Sequence, residues 1–138
     1  MASIFTKIIE GEIPSYKIIE DELCYAFLDI NPLSEGHTLV VPKKEVDYIF
    51  DLDDEIYHHL LEVSKKISRA MDSVLDCDRI ALSVVGLEVP HAHVHLIPIR
   101  EIGDINFSKA RVAMSDSKFQ VVAKNITEAL IRLYPDFA

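Results

Sequence analysis

Residues 91–98 read His-Ala-His-Val-His-Leu-Ile-Pro, so three of the chain's six histidines fall within five positions, alternating with apolar residues. An imidazole is near-neutral at physiological pH and can serve as nucleophile, proton donor, proton acceptor or metal ligand. On a β-strand, side chains at i, i+2 and i+4 share a face. His91, His93 and His95 would then form one row, with Ala92, Val94 and Leu96 opposite. A helix would scatter the three rings, and the apolar, β-branched run Ile80 to Val89 favours a strand. A single histidine here would read as a satisfied core residue. Three at strict period two point to a site. Two chemistries suit it: a metal held by imidazole nitrogens, or a metal-free centre where one imidazole attacks covalently and its neighbours manage charge and protons. Alternate side chains on a strand stand ~6.5–7 Å apart, which stretches a three-histidine metal site. The motif also contains no carboxylate.

The 138 residues fit one domain, taken as 1–138, and a 49% hydrophobic composition suffices for a core. Four glycines and six prolines leave little sign of disorder. A net charge of −9 argues against a nucleic-acid or anionic-membrane surface. It leaves room for a small phosphate-bearing ligand held by local N–H groups and imidazoles. Cys24 and Cys77 form no Cys-x-x-Cys pattern, so buried free thiols are expected rather than structural zinc. Met1 to Glu12 carries Lys7, Glu10 and Glu12 and no long apolar run, unlike a secretory signal or a membrane span. The cytoplasm is the expected location.

The rest of the chain must position the histidines. Ser3 to Ile9 reads as a short helix with Ser3 as N-cap, ended by Gly11 and Pro14. Tyr16–Ile19 and Leu23–Leu28 read as a hairpin around Glu20-Asp21-Glu22, and His37–Val41 as a third strand closed by Pro42. Asp29 ends the second strand, where a carboxylate either bonds to turn amides or accepts ribose hydroxyls. From Asp53 or Asp54, Ile56, Leu60, Val63, Ile67, Ala70, Met71 and Val74 make one helical stripe. His58 and His59, in its first turns, read as surface residues. Arg79–Val85 is a fourth strand, Gly86–Pro90 a tight link and His91–Ile99 the fifth strand. Glu101–Ser115 reads as loop, and a last helix spans about Ser117–Tyr134. Short connections between strands imply antiparallel pairing with helices on one side, an α+β domain. Neither Gly-x-Gly-x-x-Gly nor a Walker-type loop occurs.

The stretch His91-Ala92-His93-Val94-His95-Leu96-Ile97 resembles the His-φ-His-φ-His-φ-φ signature of the histidine triad (HIT) proteins, where φ is apolar. Residues 4–14, Phe27–Pro32, Gly36–Lys43 and the lead-in Gly86 with Val89-Pro90 resemble the family's upstream blocks, in order. The resemblance is closest to the Hint-like purine nucleoside phosphoramidase branch. It implies a five-stranded antiparallel sheet continued across a homodimer, a purine nucleotide pocket, and metal-independent chemistry at the α-phosphorus without a cofactor. It implies that His93 is the nucleophile forming a nucleotidyl-histidine. His95 would contact the phosphate and assist the leaving group, with His91 and His37 as hydrogen-bonding support. It places Ile4, Phe5, Ile8, Phe27 and Ile30 around the base and Asp29 on the ribose, with Gly86 and Val89 also lining the site. Relatives often carry Gln where this chain has Leu87 and Asn or Gln where an ungapped count reaches Ile80. Glu88 brings a negative charge where some relatives have a hydroxyl.

Three readings follow. The first is a hydrolase or transferase acting on nucleoside monophosphate conjugates: phosphoramidates, acyl adenylates or dinucleoside polyphosphates. The second, motivated by Leu87 and Glu88, is a nucleotide-binding or sensing protein with little catalysis. The third is a metal-dependent hydrolase built on the three histidines.

Overall fold

The elements run α1 (Ile4–Ile9), β1 (Lys17–Glu20), β2 (Cys24–Leu28), β3 (Thr38–Pro42), α2 (Asp54–Val74), β4 (Arg79–Ser83), β5 (Val94–Ile99) and α3 (Asp116–Leu133). The computed structural model describes residues 1–137. The strands form one antiparallel sheet in the order β1-β2-β3-β5-β4. The fold is α+β.

Three side chains set the helix starts. The Ser3 hydroxyl accepts from Thr6 N–H at 3.0 Å, Asp53 Oδ1 from Ile56 N–H at 3.0 Å, and the Ser115 hydroxyl from Lys118 N–H at 3.2 Å. The α2 stripe is buried from Ile56 to Met71, whereas Val74 is exposed at its frayed end. On α3, Phe119, Val122, Ala123, Ile126 and Leu130 are buried and Leu133 is exposed.

Side chains alternate between two packed layers. Ala26, Leu28, Val40, Val94 and Leu96 meet α2 and α3 in the larger core. Tyr25, Phe27, Leu39 and Val41 point the other way and pack with Phe5 and Ile8 of α1. The helices therefore do not all lie on one side: α1 closes the opposite face. Two covered faces explain why β2, β3 and most of β5 are buried at every position instead of alternately.

β5 is shorter than the sequence pattern predicts, beginning at Val94 rather than His91. The ladder with β3 stops at the pair Val40↔Val94. Pro42, the last residue of β3, has no N–H to continue it. Ala92 N–H instead bonds to Val46 O at 2.7 Å, and His91 N–H to Val89 O at 2.8 Å. β4 likewise ends at Ser83, opposite His95. The connection then turns at Gly86, whose φ of +73° suits glycine.

Candidate active site

The three histidines keep the strand's alternation although only His95 lies within the ladder. Ala92 and Val94 enter the helix-facing core, and the rings gather on the α1 side. His93 and His95 have ring centroids 4.8 Å apart, and Phe5 meets His93 edge-on at 4.9 Å. All three histidines are buried, as is His37.

Backbone groups set the ring protons of His91, His93 and His37, because a carbonyl only accepts and an amide N–H only donates. His91 Nε2–H donates to Pro42 O at 2.8 Å. Its Nδ1 then accepts from the Ser3 hydroxyl at 2.7 Å, and Ser3 in turn donates its N–H to Glu45 Oε1 at 2.7 Å. A bond from the Thr6 hydroxyl, together with the one from Ser3 N–H, holds the Glu45 carboxyl down to about 2. His93 Nδ1–H donates to the His91 carbonyl at 2.8 Å, so its Nε2 lone pair is bare at the cavity wall. Leu33 N–H donates to His37 Nδ1 at 3.0 Å, which puts the His37 proton on Nε2. That proton goes to His95 Nδ1 at 3.0 Å, leaving His95 with its own N–H on Nε2, toward the cavity. A bare nitrogen and an N–H donor thus stand side by side. No buried polar side-chain atom among the described residues lacks a partner.

Burial keeps His37, His93 and His95 neutral. Burial pushes His95 down to about 4 and His37 to about 3, with neighbouring imidazoles and Arg111 adding to the shift. Burial also lowers His93, opposed by its bond to the His91 carbonyl and by the Glu88 charge. Asp29 is pushed up by burial, against the opposing pull of the Asn31 N–H on its Oδ1 (2.8 Å) and of Arg111. Its other oxygen lies 3.7 Å from His37 Nε2, too far for a hydrogen bond.

His93 and His95 open on a cavity of about 450 Å³. Phe5, Ile4, Asp29, Ile30, Gly86 and Val89 line it as well. Ile8 and Phe27, expected around the base, are not lining residues: they pack beneath Phe5 in the layer under α1. His91 and His37 stand behind the wall. A larger groove of about 850 Å³ lies between β1 and α3, and no histidine is among its lining residues.

One wall escaped the sequence reading. The stretch read as loop contains a 3-10 turn, Ile102–Asp104, and then crosses the cavity. Phe107 lies edge-on to His95 at 4.9 Å. Arg111 donates to Asn31 O at 2.9 Å and to Phe107 O at 3.3 Å, and Val112 N–H to Pro32 O at 2.9 Å. The signal for this wall was weak, an apolar Phe107 and two cations within a polar stretch. Leu87 and Glu88 stand on the rim.

A metal could find donors in two places among the described residues: Asp29, His37 and His95, and Asp21, Cys24 and His59. The triad nitrogens themselves do not converge on a common point. In the first trio the two imidazoles spend their inner nitrogens on each other and on Leu33 N–H. In the second, the Asp21 carboxylate already takes His59 Nε2 at 2.7 Å and the Leu23 and Cys24 N–H groups, while burial pushes the Cys24 thiol up to about 12. His59 is thus tied to the β1–β2 turn rather than free on the surface, whereas His58 is exposed.

The family model of the HIT domain matches residues 10–102. The chain is 42% identical over 103 residues to the adenosine 5'-monophosphoramidase HNT1 of Saccharomyces cerevisiae, covering 72% of this chain and 64% of the yeast protein. An uncharacterized HIT-like protein of Borreliella burgdorferi is 37% identical over 132 residues, 90% of this chain and 95% of that one. A HIT-like protein of Bartonella henselae involved in cell-cycle regulation has a TM-score of 0.79 at 32% identity, covering 92% of this chain and 95% of its own. A Zn-bound histidine triad family protein of Mycobacterium smegmatis has a TM-score of 0.81 at 27% identity, covering 99% and 98%.

Proposed function

Because the chain belongs to the HIT domain family, we propose that it is a metal-independent nucleotidyl hydrolase or transferase acting at the α-phosphorus of purine nucleoside monophosphate conjugates. The match to a yeast adenosine 5'-monophosphoramidase supports a phosphoramidate among the substrates. The observation that carries the mechanism is the proton arrangement: a bare Nε2 on His93 beside an N–H on His95 Nε2.

In the first step His93 Nε2 attacks phosphorus, a P–N bond forms, and the bond to the leaving group breaks. An amidate nitrogen that has taken a proton from solvent departs as the neutral amine. His95 Nε2–H donates a hydrogen bond to a phosphoryl oxygen on the attacked phosphorus and holds the leaving group in line. In the second step water attacks the nucleotidyl-histidine. The P–N electron pair returns to His93 Nε2, the monophosphate leaves, and water's extra proton returns to solvent. Asp29 takes the ribose hydroxyls with Phe5, Ile4 and Ile30 around the base, and Gly86 and Val89 form the rim. His91 holds His93 through its carbonyl, and His37 sets the proton of His95.

The test is His93→Ala with an adenosine phosphoramidate, read by phosphorus NMR and intact-protein mass spectrometry. Wild type should form a transient adduct, and the variant should lose turnover by at least ~10³-fold while AMP still binds. Undiminished turnover in the variant removes the mechanism. Glu88 on the cavity wall favours a second reading, a nucleotide-binding protein with little catalysis. Tight AMP binding without adduct or release would select it.

We place the functional unit in one domain, 1–138, in the cytoplasm, where two free thiols suit the redox poise. No helix among the described residues is long and apolar enough to cross a membrane. A homodimer formed through β4 is supported by that strand's place at the sheet edge and by exposed Leu82, Val84 and Val85 on and after it. Leu82→Glu should convert the dimer to monomer in sedimentation, and a wild-type monomer would exclude it.

A further inference from the structure

Arg111 is the one permanently cationic side chain lining the cavity, among residues that include the carboxylates of Asp29 and Glu88. The residue is half-buried, and two of its guanidinium N–H groups are spent on the carbonyls of Asn31 and Phe107. Those bonds fix the fork between two separate segments, the turn after β2 and the crossing before α3. Carbonyls orient a guanidinium without neutralising it, and three of its five N–H donors remain. No carboxylate among the described residues pairs with it, whereas the neighbouring Lys109 is 3.7 Å from Asp104. A chain of net charge −9 thus keeps one unpaired, positioned cation at this cavity.

Position narrows its use. The His93, His95 and Phe107 rings stand in succession at 4.8 and 4.9 Å, and the Arg111 guanidinium lies 5.8 Å from the Phe107 centroid. The aromatic neighbour of the guanidinium is Phe107, which in turn meets His95, the ring beside His93. His95 Nε2–H already serves a phosphate in front of His93, which leaves the remaining Arg111 donors for a second anionic group.

Resting on the nucleotide reading above, we propose that Arg111 forms a subsite for a second phosphoryl group of the substrate, beyond the one His93 attacks. This makes nucleotides carrying two phosphoryl groups better ligands than monophosphates. The second group arrives either on the leaving side, as in a polyphosphate, or on the ribose, beside Asp29.

Calorimetric titration of AMP, ADP and adenosine 3',5'-bisphosphate against wild type, Arg111→Gln and Arg111→Lys tests this. Either ADP or the bisphosphate should bind wild type about tenfold tighter than AMP, as expected for one charge-assisted, forked contact. Which of the two gains tells the leaving side from the ribose side. In Arg111→Gln that ratio should fall to about one, with Arg111→Lys retaining part of it. The ratio is insensitive to a general loosening of the cavity, which weakens all three ligands together. No preference in wild type, or a preference that survives in Arg111→Gln, overturns the subsite and leaves the mechanism untouched. Failure of AMP itself to bind overturns both.

Discussion

Replacing His37 by phenylalanine tests the proton arrangement on which the site depends. Phenylalanine keeps a planar ring in a fully buried position but removes both ring nitrogens. Leu33 N–H loses its acceptor and His95 Nδ1 its donor. An unpaired buried group costs ~1–3 kcal/mol, so two cost roughly 2–5 kcal/mol after partial relaxation. Against a typical total of ~5–15 kcal/mol the variant stays folded at 25 °C, with a Tm lower by roughly 10 °C. The catalytic effect has a separate origin. In the native site a proton on His95 Nδ1 would meet the proton on His37 Nε2, so that tautomer is excluded. Without His37 the His95 proton is shared between its two nitrogens, and the donor facing the phosphoryl oxygens is partly lost. We expect kcat to fall ~10–100-fold, less than the ~10⁴ of a fully mis-set tautomer in a hydrolytic triad. Nitrogen-15 NMR of histidine-labelled protein reads the cause directly. Wild type should show the Nε2–H form of His95 and the Nδ1–H form of His93. A wild-type His95 protonated on Nδ1, or a His37→Phe enzyme with native kcat, would refute the reasoning.

Other expectations concern pH and the N-terminal support. His93 must be unprotonated to attack and burial lowers its pKa, so kcat/KM should persist down to pH 6.5 and fall only below it. An acid limb centred above pH 7 would contradict this. His37 and His95 are buried neutral at about 3 and about 4, whereas the unfolded chain binds protons near the ordinary histidine value of 6.5. Their contribution is complete above pH 6.5 and is lost as pH falls toward 4, by up to ~1.4 kcal/mol per pH unit per histidine. Urea midpoints across that range should drop accordingly, and less steeply in His37→Phe. Ser3→Ala removes the α1 cap and the donor to His91 Nδ1 together. We expect roughly 2–4 kcal/mol of destabilisation and a lower kcat, because the His91 carbonyl is what holds His93. Equal stability in urea unfolding would show that neither bond matters.

Local pattern carried much of this into view. The period-two alternation from His91 to Ile97 already sorts rings from core residues, and the α2 and α3 stripes mark the face they bury. The start of β5 was not legible there, because it depends on what the neighbouring strand offers: Pro42 lacks an N–H and Val46 captures the one on Ala92. Placing α1 on the far side of the sheet likewise depends on Phe5 and Ile8 meeting Tyr25 and Phe27, contacts that no short window contains. The Ser3–His91 bond joins residues 88 positions apart. His37 entered by resemblance alone, since one histidine at the start of a strand carries no signal of the ring it will meet. Phe107 and Arg111 stayed hidden because an irregular segment has no periodicity to betray which side chains turn inward.

The choice of partners for the rings bears on what the cavity can admit. Hydrolytic centres often orient a histidine with a carboxylate, which also stabilises its charged form. Here the orienting groups are the carbonyls of Pro42 and His91 and the N–H of Leu33, none of which titrates. Asp29, the nearest carboxylate to His37, stops 3.7 Å short and spends one oxygen on a turn amide. The arrangement fixes four tautomers, that of His95 through His37, with no carboxylate hydrogen-bonded to any of the four rings. In a chain of net charge −9 that matters, because the expected ligand is itself an anion. Burial lowers the His93 pKa against the pull of the His91 carbonyl, and an adjacent carboxylate would favour the protonated, inert form more strongly. Glu88, on the rim of the same cavity, works against this design by favouring the protonated form of His93.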